Sequence, residues 1–82
     1  MRKKICAQLS IKGEFVPEYI QGRISGIIHG VIGEVDRIAH AVEQEDGFTR
    51  FRFRCTKKQF NLIHDMVTAN YSTLYEITSV ML

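Results

Sequence analysis

The dipeptide Asp46-Gly47 constrains this chain more than any other feature. It lies between two stretches of alternating character, Val35–Gln44 and Phe48–Cys55. An Asp-Gly pair in that position predicts a two-residue hairpin, because a type I′ turn needs positive φ at both central residues. A fixed turn fixes the register. Glu45 then faces Phe48, Glu43 faces Arg50, Ala41 faces Arg52 and Ala39 faces Arg54. Those pairs share one side of the sheet. Val42 with Phe51, His40 with Phe53 and Ile38 with Cys55 take the other side, which is apolar enough to be the core.

The remaining segments are read around this hairpin. From Lys4 to Lys12 the chain alternates: Ile5, Ala7, Leu9 and Ile11 point one way, Lys4, Cys6, Gln8, Ser10 and Lys12 the other. Period two predicts a half-buried strand. Gly13-Glu14 breaks it, and Pro17 suits a first helical turn. From Pro17 to about Gly33, Ile20, Ile24, Ile27, Ile28 and Val31 recur at helical spacing. Thr56-Lys57-Lys58-Gln59 is a capping-box pattern. It opens a second helix to about Asn70, with Phe60, Ile63, Val67 and Tyr71 on one stripe. Leu62, Met66 and Ala69 lie on its flank and are read as packing against the first helix, with part of an interface as the alternative. Thr73–Leu82 is rich in β-branched and apolar residues and reads as a last strand.

The order strand, helix, strand, strand, helix, strand predicts one α+β domain over residues 1–82. Right-handed crossovers put both helices on one face of a four-stranded antiparallel sheet, a ferredoxin-like βαββαβ two-layer sandwich with strand order 4-1-3-2. In element order, over nearly the whole chain, the layout resembles small ferredoxin-like regulatory domains such as the ACT domains and the YbeD-like bacterial proteins. That resemblance implies a regulatory binding role. ACT domains usually carry a ligand-binding turn with Asp, Pro and Gly after the first strand. Here the stretch is Gly13-Glu14-Phe15-Val16-Pro17-Glu18, so no functional residue is carried over and amino-acid sensing is not implied.

Function has to be read from surfaces. The net charge is only +2, with 45% hydrophobic and 24% charged residues, an ordinary balance for a soluble domain. The distribution says more. Arg50, Arg52 and Arg54 fall on the open face of the hairpin, and only Arg50 has an acidic cross-strand partner. Arg52 and Arg54 lie beside alanines. Lys4 and Lys12 come from the first strand and Arg37 from the far end of the hairpin. Guanidiniums in a row suit phosphates, since each presents paired planar donors. The face is therefore expected to bind an anion, with nucleic acid or an acidic protein surface as partner. The plainer reading is a solvated face that keeps the sheet soluble. No aromatic is expected there. The match of Gly47, Phe48 and Phe53 to an RNP1-type motif is read as chance, because Asp46 and Arg50 break it and the first strand lacks a companion aromatic.

The first helix carries Gly22, Gly26, Gly30 and Gly33 on the side opposite its isoleucines. Each exposed glycine inside a helix costs about 1 kcal/mol against alanine. One reading is a bare groove for a partner, flanked by Arg23, Ser25 and His29; the other is simple tolerance of poor helix formers. A modulator that captures a protein, of the phage anti-defence type, is the alternative function. Homodimerisation through the open sheet is a further possibility, opposed by arginines that would face one another.

Catalytic chemistry is not expected. His29, His40 and His64 have no ligand spacing with Cys6 and Cys55, and His40 is read as a core histidine. No phosphate loop, nucleophile elbow or carboxylate dyad is present. No metal or cofactor is expected. Two cysteines on opposite faces, no signal peptide and no apolar run of membrane length predict a reduced, cytoplasmic setting without membrane contact. The chain opens on methionine, shows no tag and reads as a complete small protein of bacterial or phage type.

Overall fold

A computed structural model describes residues 4–13, 16–33 and 41–82. The elements are β1 (Ile5–Lys12), α1 (Glu18–Ile32), β2 (Ala41–Glu45), β3 (Phe48–Cys55), α2 (Lys57–Tyr71) and β4 (Glu76–Met81). The sheet order is β2-β3-β1-β4, and every pairing is antiparallel.

Alternation in β1 and β3 builds the core. Ala7, Leu9 and Ile11 of β1 and Phe51, Phe53 and Cys55 of β3 are all buried. They share one cluster with Ile20, Ile24 and Ile28 of α1 and Ile63, Val67 and Tyr71 of α2. Both helices therefore cover the same side of the sheet. Ile77 of β4 packs against that cluster half-buried.

These contacts correct the expectation of a four-stranded ferredoxin-like sandwich. The strand side chains described in the helix-covered core come from three antiparallel strands, β3, β1 and β4. β2 is a five-residue fringe paired to Phe48–Arg52 only. The part of the expected second strand before Ala41, with Arg37, Ile38, Ala39 and His40, lies outside the described residues. β4 is also shorter than expected. The amides of Leu74 and Tyr75 both donate to the Tyr71 carbonyl, so the chain after α2 is spent on a turn before pairing can begin at Glu76.

Local chemistry explains the boundaries. Asp46 (φ 51°) and Gly47 (φ 77°) both lie in the left-handed region, as the two-residue turn demands. The Thr56 hydroxyl accepts from the Gln59 amide at 3.2 Å, and the Gln59 side chain accepts from the Thr56 amide at 2.9 Å. This reciprocal pair starts α2. α1 lacks a side-chain cap; Pro17 opens it and Gly33 closes it at φ 91°. The Gln59 side chain also donates to the Val31 carbonyl at 3.4 Å, tying the start of α2 to the end of α1.

Gly13 marks a close approach. A Cβ there would stand 2.8 Å from Cδ1 of Tyr75. Gly13→Ala should lower the urea midpoint because the Tyr75 ring must move. Thr56→Ala should cost about 1 kcal/mol through loss of the cap, read as a lower midpoint with an unchanged m-value.

Candidate nucleic-acid interface

The helix-free side of the sheet is defined by register. Cys6, Gln8, Ser10 and Lys12 of β1 pair across with Arg54, Arg52, Arg50 and Phe48 of β3. On the other flank, Gln8, Ser10 and Lys12 pair with Val80, Thr78 and Glu76 of β4. Cys6, Lys12, Arg52, Arg54, Glu76, Thr78 and Val80 are exposed, while Gln8, Ser10, Phe48 and Arg50 are half-buried. Alternate residues of a strand stand about 6.8 Å apart. Three guanidiniums therefore follow β3 at a spacing close to that of successive phosphates on an extended nucleic-acid strand.

Two expectations about this face change. Arg52 does not stand uncovered, because its Nε donates to Gln8 Oε1 at 3.0 Å. The Gln8 amide in turn donates to Ser10 Oγ at 3.4 Å. β1 supplies polar neighbours that reach across the strand gap. Nor is the face without an aromatic. Phe48 occupies its Lys12 row, with the Arg50 guanidinium carbon 4.9 Å from the ring centroid. The signal for Phe48 was present in the turn: a register that puts Phe48 opposite Glu45 places it on the same side as Arg50. Phe53, the other aromatic of the RNP1-like stretch, is buried under the helices, so the two rings lie on opposite sides of the sheet.

Glu43 is the register partner of Arg50 and Glu45 that of Phe48. Lys12 sits between Phe48 and the exposed Glu76. In register, acidic positions thus lie opposite Phe48 and Arg50, while the row from Arg50 to Arg54 has Ser10, Gln8 and Cys6 on its β1 side. Lys4 is exposed just ahead of β1. Arg37 lies outside the described residues.

The glycine stripe is separate from this face. Gly22, Gly26 and Gly30 are exposed, and a Cβ at any of them would meet nothing within 4 Å. Arg23 is exposed near the ring of Tyr19, at 5.9 Å, and His29 is half-buried in the last turn. Among the described residues, no packing contact therefore requires these glycines. Leu62, Met66 and Ala69 are also exposed, which corrects the expectation that they pack against the first helix. Their turn of α2 points away from the stripe of Ile63, Val67 and Tyr71 that the sheet covers.

The thiols are unpaired: Cys6 is exposed on the arginine side and Cys55 is buried. Burial pushes the Cys55 thiol up from its ordinary pKa. His64 Nδ1 lies 2.7 Å from Ser79 Oγ, linking α2 to β4. Among the described residues no group of three His, Cys, Asp or Glu side chains could hold a metal ion, and no helix is long and apolar enough to cross a membrane. No protein-family model matches the chain, and no curated protein matches it. The resemblance to ACT and YbeD-like domains thus rests on element order alone.

Two measurements check this description. Gly26→Ala should stabilise the fold by about 1 kcal/mol in urea denaturation, since the added methyl meets nothing and the helix gains propensity. With a thiol reagent, Cys6 should react at once and Cys55 only after denaturant is added. Because the folded Cys55 pKa is raised, its contribution to stability is complete below the unfolded thiol pKa and declines as pH rises through the folded one.

Proposed function

We propose that this chain is a small non-catalytic binding protein that docks single-stranded nucleic acid on the helix-free face of its sheet. The observation that carries the reading is the row Arg50, Arg52, Arg54 at alternate positions of β3, on the side that no helix of the described structure covers. Strand geometry sets the spacing of the row, and Gln8 positions the middle guanidinium. Arginine forks bind phosphate through paired donors. Phe48 adds a ring on which a base can stack, the usual partner of a basic track in sequence-tolerant single-strand binding. Lys12 beside it extends the positive charge. A sheet face with one accessible aromatic and a cationic row favours backbone contact over base reading.

Fluorescence anisotropy with labelled oligonucleotides tests this. Arg50, Arg52, Arg54 and Lys12 give about four phosphate contacts, so log K should fall with log salt at a slope of about −3, each Arg→Ala change making it shallower by about 0.7. Phe48→Ala should cost about 1–3 kcal/mol with the slope preserved, as expected for lost stacking. Undetectable binding, or binding indifferent to salt, refutes the proposal. A host-lysate partner that survives nuclease treatment would instead point to an acidic protein surface.

A further inference from the structure

The outer edge of β4 carries an unsatisfied backbone pattern that matches itself. Among the described residues nothing pairs with that edge. The Leu82 amide donates to the Cys6 carbonyl at 2.8 Å. Hydrogen-bonded pairs alternate along an antiparallel ladder. Glu76, Thr78, Val80 and Leu82 therefore turn their backbone groups toward β1, and Ile77, Ser79 and Met81 turn theirs outward. An edge of this kind is normally protected by lysine, proline or a bulge. β4 has none of these: its sequence is Glu-Ile-Thr-Ser-Val-Met, with one charge at the first position and an unbroken register to β1. The end of the chain is also apolar and uncovered, with Val80 at 41%, Met81 at 52% and Leu82 at 68% exposure.

We propose that β4 pairs antiparallel with β4 of a second copy of this chain, about a two-fold axis at Ser79. Opposed residues in such a ladder must lie on the same side of the sheet, and outward-turned residues must meet outward-turned ones. Centring on Ser79 satisfies both conditions and uses all three outward residues of each strand. Ile77 then opposes the partner's Met81, Thr78 the partner's Val80 and Glu76 the partner's Leu82. Centring one residue earlier, on Thr78, leaves Met81 outside the ladder.

Side chains and charge select the second copy as occupant. The exposed C-terminal half, Val80 to Leu82, lands on the partner's N-terminal half, where Ile77 is only half-buried. The two Glu76 carboxylates go to opposite ends, so no like charges oppose one another. The two arginine rows lie five strand spacings apart, about 24 Å at about 4.8 Å each. That exceeds the screening length of about 8 Å at physiological salt. Stacking two open faces would instead press the arginines together. Edge pairing leaves both rows on one continuous face, although the dimer itself does not depend on the nucleic-acid reading.

Amide hydrogen exchange on the unmodified chain, with sedimentation equilibrium, tests the proposal. The expected result is a dimer mass and concentration-dependent protection of the Ile77, Ser79 and Met81 amides. Met81→Lys, at an exposed position, should shift the mass toward monomer and weaken dimerisation at least tenfold while circular dichroism stays native. In a Cys6→Ser background, Thr78→Cys with Val80→Cys should cross-link two chains under mild oxidation. A monomer mass at the highest soluble concentration overturns the proposal. So does a dimer in which Ile77, Ser79 and Met81 exchange as unprotected amides, which would place the contact elsewhere. Failure of oligonucleotide binding with an intact dimer would reject the nucleic-acid reading alone.

Discussion

Eight consecutive cross-strand pairs join β1 to β3, from Ile5 with Cys55 to Lys12 with Phe48, and each sorts its two residues to the same side of the sheet. On one side the pairs are Ala7 with Phe53 and Leu9 with Phe51, buried under both helices. On the other they are Gln8 with Arg52 and Cys6 with Arg54. A slip of one residue would bury three guanidiniums and expose two phenylalanines. Hydrophobic burial of those rings, about 1.5–3 kcal/mol each, therefore also holds the arginine row in place. Core and candidate interface are two faces of one strand.

That coupling explains why the face can be polar and still ordered. Arginine on an isolated strand would sample many rotamers. Here Gln8 fixes Nε of Arg52 and the Phe48 ring lies beside Arg50, both through residues whose positions the β1–β3 register sets. The edges of the sheet follow different rules. β2 is short and bears Glu43 and Glu45, while β4 is regular and ends in apolar residues. A small domain with an open edge of low charge gains by covering it, since its own core is limited by its size.

Much of the architecture was legible because local signals agreed. Asp46-Gly47 specified its turn, and the register counted from it, Glu43 with Arg50 and Ala41 with Arg52, is the pairing found. Thr56 with Gln59 announced the start of α2 through side chains that reach only three residues. Gly33 closed α1. The partners of side chains were less legible. The bond from Arg52 to Gln8 spans 44 residues, and the exposure of Leu62 and Met66 depends on how the helices rest on the sheet.

What the sequence determined by itself was the sidedness of each element. Period-two and period-3.6 patterns, a left-handed dipeptide and a capping box act over a few residues, so they need no fold to be read. They placed Arg50, Arg52 and Arg54 opposite Phe51 and Phe53. Only the tertiary structure decided what those sides meet. It brought Gln8 to Arg52, set Lys12 beside Phe48, and left the alternating amides of β4 facing outward. Each of these joins segments far apart in the chain, and such contacts form only when the shared core has closed.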